Sequence, residues 1–255
     1  MRWILAVGVM LGLSAAAAVA ETTGTCSIRA GRTEGKMSFS SERGDCVAGH
    51  SCHDSNSDML WNKWSGITPQ DLEHEGASVD ARMKAESGEM RCVGIVHDAA
   101  MRGTYSFTPD EGFLKRMESM GISDVTADRL EGYAMLDVTT EWVKEMKDAG
   151  VTEMTGQKLM GLRALKVDAA YVKAMAAAGY PELRANQLTS MKAVGVSPEK
   201  VQAVRAMGYS PTQQELVQMS VFKIDAPFVE RMKARGFNNL TIAQLIKIKV
   251  FKLDE

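Results

Sequence analysis

One pattern of apolar and polar positions recurs five times between Asp110 and Leu253, with a period of 28–29 residues. Four of the five copies begin with an aromatic residue, and every copy then has a methionine or valine four positions later, a glycine after four more, and later a leucine and a closing aliphatic residue. The fourth copy has Lys200 in place of the aromatic residue. A unit this small cannot bury its own apolar face, so the copies are predicted to stack on one another.

The five copies, called units one to five below, span approximately residues 110–138, 139–167, 168–196, 197–224 and 225–253. The recurring apolar positions are expected to form the core of the repeats. They are Phe113, Met117, Trp142, Met146, Tyr171, Met175, Phe228 and Met232, together with Leu130, Leu159, Leu188, Leu216 and Leu245.

Each unit is predicted to contain two short helices. In unit three, Asp168 can cap a helix whose apolar positions, beginning at Tyr171, follow the spacing of an amphipathic face. Gly179 stands where a left-handed helix end is expected, and Pro181 then prevents the helix from continuing. Thr212 and Glu215 fit a capping box for a second helix in unit four. The pattern therefore predicts an α-solenoid of five two-helix repeats.

The region before the repeats, residues 21–109, is predicted to be a small β-rich domain. Val79–Met83 alternates apolar and polar residues, and Lys36–Ser41 is another candidate strand. Thr68 followed by Pro69 is typical of a helix start. We therefore expect an antiparallel sheet or small sandwich with a short helical insertion, and an α+β fold for the chain as a whole.

Residues 1–20 are predicted to be a cleaved signal peptide. Arg2 precedes an apolar run from Trp3 to Leu13, and Ala18 and Ala20 fit an A-x-A cleavage site. The run falls short of the roughly 20 residues that cross a bilayer, although a retained anchor is the alternative interpretation. The mature protein is expected to be exported, in the periplasm or the medium, without stable membrane insertion.

All four cysteines, Cys26, Cys46, Cys52 and Cys92, precede the repeats. In an exported protein this even count predicts two disulfide bonds, for which the sequence allows three pairings. The favoured pairing joins Cys46 to Cys52 across a polar loop and Cys26 to Cys92 across the sheet.

The segment from Cys46 to His53 supports two other interpretations. Cys46, His50, Cys52 and His53 are the ligand types that zinc prefers, but their spacing is tight for one tetrahedral ion. The Cys52-His53 pair also matches the end of a c-type haem attachment site, whose two cysteines would need a closer spacing than these have. We expect disulfides, and no bound cofactor.

Two features of the repeats have a structural and a functional interpretation. The methionine column could bind a soft metal such as copper(I), but methionine also fills irregular gaps between helices, which is the interpretation favoured here. At Lys200, Val201 could take over packing from the missing aromatic residue, or a groove could open there for a partner's side chain. Trp61 and Trp64 are expected to be packing anchors rather than ligand-stacking groups.

The junction between the two regions resembles a known family. Met90-Arg91-Cys92-Val93-Gly94, then Arg102–Pro109, then Phe113 and Met117, is similar to a bacterial exported family in which a β hairpin leads into short helical repeats. Similar repeats occur C-terminally in relatives of the BlaR/MecR-like antirepressor membrane metallopeptidases. This chain lacks their H-E-x-x-H zinc motif, so the resemblance does not imply peptidase activity.

The charge balance and the lack of familiar catalytic motifs limit the classes of function that the sequence favours. Without Arg2 the chain has 29 basic and 32 acidic residues, which does not favour nucleic acid as a partner. It has four histidines, no G-x-S-x-G elbow and no Walker-type glycine loop. We therefore expect a non-enzymatic interaction or scaffold module that binds a protein or peptide through its repeats. The alternatives are an accessory subunit of an envelope stress or antibiotic response and, less favoured, a metal- or haem-binding redox protein.

The last unit has no successor to cover it. Solenoids usually end in a polar cap, and Lys247, Lys249 and Lys252 could provide one. If they do not, the C-terminal repeat could self-associate.

Overall fold

A sheet of six strands is followed by ten helices in the computed structural model, which describes residues 21–43 and 55–253. The strands are β1 (Thr22–Ala30), β2 (Lys36–Arg43), β3 (Ser55–Leu60), β4 (Ser78–Ala85), β5 (Gly88–His97) and β6 (Ala100–Pro109). All neighbouring pairs are antiparallel, in the order β3-β2-β1-β6-β5-β4. The α+β prediction is thus confirmed, and the described strands form one sheet rather than the two layers of a sandwich.

The sheet curls strongly about β6. Strands β1 and β5 both pair with β6, yet the Cys26–Cys92 disulfide joins them directly, with the two Cα atoms 6.1 Å apart. Two strand spacings in a flat sheet would separate them by about 9.5 Å. Gly94 and Gly103 face each other beside this bridge, and a Cβ at Gly103 would lie 1.9 Å from the Val93 carbonyl oxygen. Glycine is therefore required where the strands bend.

The connection from β3 to β4 covers part of the inner face of the sheet. It contains short 3₁₀ helices at Trp61–Lys63 and Pro69–Glu73, the second of which begins at the predicted Thr68 cap. Trp64 is buried, with its ring 5.0 Å from that of Phe39 on β2, so it is a packing anchor as expected. Trp61 packs partly buried against the same core.

The helices are short and regularly spaced. They are α1 (Glu111–Ser119), α2 (Leu130–Leu136), α3 (Thr140–Asp148), α4 (Gly156–Ala164), α5 (Ala169–Ala177), α6 (Ala185–Ala193), α7 (Pro198–Ala206), α8 (Gln213–Val221), α9 (Ala226–Ala234) and α10 (Ile242–Val250). Each has nine residues except α2, which has seven and follows a 3₁₀ turn at Ala127–Arg129. The even-numbered helices contact one another in succession, and α3 contacts both α1 and α5.

Side-chain caps begin the first helix of every unit. The cap accepts a hydrogen bond from the backbone amide three residues later, which satisfies a group that the helix leaves unpaired. The caps are Asp110, Thr139, Asp168, Ser197 and Asp225.

The two helices of a unit end differently, which explains why glycine recurs after only one of them. Gly150 follows α3 with φ 92°, a conformation that side chains disfavour, whereas Lys166 follows α4 with φ 54°. The second value lies in the left-handed region that non-glycine residues can occupy. Glycine therefore recurs at the end of the first helix because the backbone there has a positive φ value that other residues disfavour.

The apolar positions of the repeat lie in one continuous core with the sheet. All thirteen positions named from the sequence, from Phe113 to Leu245, are buried. In unit four, Val201 and Val204 are buried, while Lys200 is partly exposed. Val143, Val172 and Val229 stand at the position of Val201 and are buried beside the aromatic residue in their units. The burial of Val201 therefore follows the regular repeat and does not show that it replaces the missing aromatic residue.

Replacing both Cys26 and Cys92 by alanine is expected to lower the free energy of unfolding by about 4 kcal/mol, because the bridge restricts the unfolded chain over a sequence separation of 66 residues. Urea unfolding measures the change. The single Cys26→Ala variant, which also lacks the cross-link, should lose a similar amount. Unfolding of the double variant at the wild-type urea concentration would contradict a stabilising cross-link.

Candidate interaction surfaces

A buried carboxylate fixes the first helical unit on the sheet. Glu131 on α2 is only 4% exposed. Its Oε1 accepts a hydrogen bond from the Tyr105 hydroxyl and its Oε2 from the Arg43 guanidinium, both at 2.8 Å. Burial, followed by the negative charge of Glu131, raises the pKa of Tyr105. Since both carboxylate oxygens are bound and the site is closed, Glu131 is a structural contact between β2, β6 and α2.

The turn between β4 and β5 extends this contact to the second unit. Glu86 accepts hydrogen bonds from the backbone amide (2.8 Å) and hydroxyl (2.6 Å) of Thr140, at the start of α3. The Arg116 guanidinium of α1 lies 3.3 Å from the same carboxylate. The Ser87 hydroxyl donates to the Leu130 carbonyl oxygen at 2.9 Å. One β turn therefore orders the beginnings of two successive units.

Later units are linked by hydrogen bonds, each of which is accepted by a backbone carbonyl oxygen at the same repeat position of the following unit. The Thr152 amide of unit two donates to the Leu183 carbonyl oxygen of unit three at 3.3 Å. Pro181 stands at the position of Thr152 in unit three and has no amide hydrogen. There, the Tyr180 hydroxyl donates instead, to the carbonyl oxygen of Pro211, which is equivalent to Leu183.

The link between units four and five uses the same hydroxyl position. The Tyr209 hydroxyl donates to the Leu240 carbonyl oxygen at 3.1 Å. Tyr180 and Tyr209 are therefore more than apolar residues after the glycine, because each bonds its unit to the next.

A cation on the second helix lies over the aromatic residue of the first helix in three units. The pairs are Arg163 over Trp142 (5.3 Å to the ring centroid), Lys192 over Tyr171 (4.3 Å) and Lys249 over Phe228 (4.3 Å). Such contacts favour both groups. In unit four Ser220 stands at the cation's position, just where Lys200 replaces the aromatic residue. The two substitutions are matched, since each removes the partner of the other.

The even-numbered helices approach each other through small residues. A Cβ at Gly132 would lie 2.6 Å from the methyl group of Met160, and one at Gly161 would lie 3.6 Å from the Thr189 methyl group. The equivalent residue on α6 is Ser190, which faces the next unit at the position of Val217. The glycine pattern thus ends at the boundary between units three and four.

A groove of about 310 Å³ lies at this boundary, between α6 and α8, and is called the α6–α8 groove below. Its volume is at the lower end of the roughly 300–1,000 Å³ typical of binding pockets. Val217 contributes apolar surface, whereas Met191 borders the groove but is fully buried. The other lining residues are polar: Arg184, Asn186, Gln187, Ser190, Gln213 and Gln214.

Three amide side chains of the groove have unused hydrogen-bonding capacity. Within the described residues, the side chains of Asn186, Gln213 and Gln214 form no hydrogen bond, whereas Gln187 accepts one from the Arg184 amide at 2.9 Å. Each free amide offers two donors and an acceptor. Lys200 does not line this groove. The α6–α8 groove is therefore a different site from the one considered at Lys200 from the sequence.

A second cavity, of about 420 Å³, lies between β3, β4 and the ends of α2 and α4. Its central carboxylate, Asp137, is bound by the Lys63 ammonium at 3.1 Å and the Arg163 guanidinium at 3.2 Å. These charged groups satisfy one another and connect the sheet to both helices. The cavity is accordingly a less suitable ligand site than the α6–α8 groove.

Two further charged clusters lie on the exposed surface of the β region. The guanidinium groups of Arg91 and Arg82 hold the pKa of Asp80 well below its usual range. A hydrogen bond with Glu75 raises the pKa of His97. Neither cluster lines the α6–α8 groove or the cavity between β3, β4, α2 and α4. Their perturbed pKa values follow from surface pairing, which gives no reason to assign them a catalytic role.

The predicted cysteine site is described only in part. The Cys26–Cys92 disulfide is present, as favoured from the sequence. Cys46, His50, Cys52 and His53 lie outside the described residues, as does the predicted signal peptide, so the second disulfide stays a prediction. Residues 21–43 and 55–253 contain no group of three or more potential ligands placed to hold a metal ion. In the same ranges, no helix is long and apolar enough to cross a membrane.

Comparison of the chain with models of known families, with curated proteins and with solved structures finds no match. The resemblance to repeats of BlaR/MecR-like relatives therefore stays a prediction.

Replacing Tyr180 or Tyr209 by phenylalanine is expected to lower the free energy of unfolding by about 1 kcal/mol each, because each change removes a bond to the next unit. Tyr133→Phe is the matched control, since the buried Tyr133 hydroxyl has no partner in the described chain. That variant should be no less stable than wild type. Urea unfolding compares the three. Equal losses in all of them would show that the inter-unit bonds contribute nothing specific.

Proposed function

We propose that this protein is a non-enzymatic interaction module that binds an extended segment of a partner protein in the α6–α8 groove. The observation that carries this proposal is the set of unbonded amide side chains, Asn186, Gln213 and Gln214, along a groove whose accessible apolar residue is Val217. The proposal includes export after removal of residues 1–20.

The architecture proposed for the helical region is a solenoid of five two-helix repeats. The first helices of successive units begin 29, 29, 29 and 28 residues apart, from Glu111 to Ala226. The succession of contacts between even-numbered helices and the recurring inter-unit bonds support this arrangement. An array of this kind offers an extended surface on which a partner can lie across several units.

The chemistry of the groove suits a peptide backbone. An extended peptide exposes alternating N–H and C=O groups, each of which must be paired when it leaves water. Amide side chains can pair with both. Among the described residues that line the groove, Arg184 alone is charged, and its guanidinium also lies 3.8 Å from Glu153. The preferred segment is accordingly uncharged or weakly acidic, with a small apolar side chain directed at Val217.

Export is supported by the disulfide, because such bonds persist in oxidising compartments. The Cys26–Cys92 bridge closes over the strand between its two cysteines. It therefore belongs to the shape of the sheet rather than to an exposed loop.

Substitution of Ser190 by arginine is expected to fill the α6–α8 groove and to weaken partner binding by at least about tenfold, through loss of the apolar and amide contacts. Wild-type and variant proteins would be used to capture partners from an envelope fraction. Peptides from any captured protein would then be titrated calorimetrically against both.

Gln202→Arg is the matched control, because it adds the same side chain to an exposed position on α7, away from the groove. Both variants should melt close to the wild-type temperature. A peptide that binds wild type and Ser190→Arg equally would exclude the groove as its binding site. Failure of every uncharged or weakly acidic extended peptide would argue against the recognition chemistry proposed here.

A further inference from the structure

Main-chain hydrogen bonds fix the first three units on one another. The Gly156 amide of unit two donates to the Ser123 carbonyl oxygen of unit one at 2.8 Å. In the same way, the Ala185 amide of unit three donates to the Thr152 carbonyl oxygen of unit two at 3.0 Å. Each bond is part of a short parallel β-bridge between the two units. Because hydrogen bonds are directional, these bridges set the angle at which one unit lies on the next.

The boundary between units three and four has no such bridge. Pro181 and Gln213 stand at the positions of Thr152 and Ala185, but no main-chain hydrogen bond joins these two units within residues 55–253. The connection before α8 is one residue shorter than its counterpart in unit three and lacks the left-handed residue found there at Glu182. The chain therefore approaches Gln213 along a different path, and the bridge is lost.

A single side chain makes the polar contacts across this boundary. Tyr180 of unit three donates its hydroxyl hydrogen to the Pro211 carbonyl oxygen, and the Arg205 guanidinium lies over its ring, 5.8 Å from the centroid. No other hydrogen bond or ion pair connects units three and four in the part of the chain that the structure describes. The bond also borders the α6–α8 groove, because Pro211 lies two residues before Gln213, which lines that groove.

The first helices of the units are also less closely packed here. Helix α3 contacts both α1 and α5, whereas the contact between α5 and α7 is weaker. Helix α7 is the one in which Lys200 replaces the aromatic residue. The core nevertheless continues across the boundary through the buried Val201 and Val204. Apolar packing is non-directional, so it keeps units three and four together without fixing the angle between them.

We propose that the boundary between units three and four is a hinge. Units four and five move about it relative to the sheet and units one to three, and the α6–α8 groove widens as they do so. The structure shows the narrow arrangement, which the Tyr180 hydroxyl holds through its bond to Pro211. Movement of packed helices about a few residues at the ends of elements is a common form of conformational change.

The hinge gives the groove a way to admit an extended segment. The volume of about 310 Å³ in the narrow arrangement lies at the lower end of the range for binding pockets, and widening makes room for a longer segment. This consequence rests on the function proposed above, whereas the hinge itself does not depend on it.

Distances between pairs of spin labels test the hinge in the full chain, without any ligand. Equivalent exposed positions on the first helices of the five units are Lys115, Lys144, Lys173, Gln202 and Glu230. Labels attached there through genetically encoded p-acetylphenylalanine leave the cysteines unmodified. Double electron–electron resonance then compares three pairs, each two units apart: Lys115 with Lys173, Lys144 with Gln202, and Lys173 with Glu230.

The first pair lies within the bridged units and should give one narrow distance. The Lys144–Gln202 and Lys173–Glu230 pairs both cross the hinge. Each of them should therefore give two distances, or a distribution at least about twice as wide as that of the first pair.

Tyr180→Phe should raise the population of the wide arrangement relative to the narrow one about fivefold, because it removes the hydrogen bond that favours the narrow one. Tyr209→Phe is the matched control, since it removes the bond between units four and five. It should leave the Lys144–Gln202 distances unchanged. Circular dichroism verifies that both variants remain folded.

A Lys144–Gln202 distribution as narrow as that of the first pair would overturn the hinge. So would broadening confined to Lys173–Glu230, which would place the movement between units four and five, as fraying of the end of the array. Equal populations in Tyr180→Phe and wild type would reject the part given to the Tyr180 bond. Because no peptide is present, these outcomes decide on the hinge whether or not the groove binds one, and the calorimetric titrations described above decide on binding separately.

Discussion

Helices of nine residues or fewer do not persist in water unless a neighbour covers their apolar face, and all ten helices of the described chain fall under that limit. Capping side chains satisfy their ends but contribute only about 1 kcal/mol each. Each helix therefore depends on the one before it, and the series needs a starting point that is stable by other means. The sheet supplies it, through Glu131, the turn at Glu86 and the apolar surface under α2.

The sheet can serve this purpose because its curvature is fixed internally. Opposed glycines at 94 and 103 let the strands bend, and the Cys26–Cys92 bridge holds β1 and β5 across that bend. A flatter sheet would direct Tyr105 and Arg43 apart, and Glu131 would be left as a buried charge without its partners. Losing one partner of a buried ion pair costs about 3–5 kcal/mol, so the geometry of the sheet is energetically tied to the position of α2.

Most features that were predicted correctly from the sequence depend on residues close to one another in the chain. The helix starts at Asp168 and Thr212 and the Cys26–Cys92 pairing depend on residue type, short spacing or compartment, and all are present in the structure. Glu131 could not be predicted, because its partners are 26 and 88 residues away in sequence. The α6–α8 groove was also missed, although a signal existed: alignment of the units shows Gly132 and Gly161 giving way to Ser190.

The departures from regularity are concentrated where units three and four meet. Pro181 lacks the amide that would link units three and four as the Thr152 amide links units two and three, and the Tyr180 hydroxyl makes this link instead. The shortened loop of unit four lacks the left-handed residue found at Glu153, Glu182 and Asn239 in other units. The aromatic residue and the cation that lies over it in units two, three and five are replaced by Lys200 and Ser220 in unit four. Each departure has a local compensation, so packing continues across the boundary while the spacing of α6 and α8 can differ from that of earlier helices. A groove can form there without a break in the core, and it is at this boundary that unbonded amides line a groove.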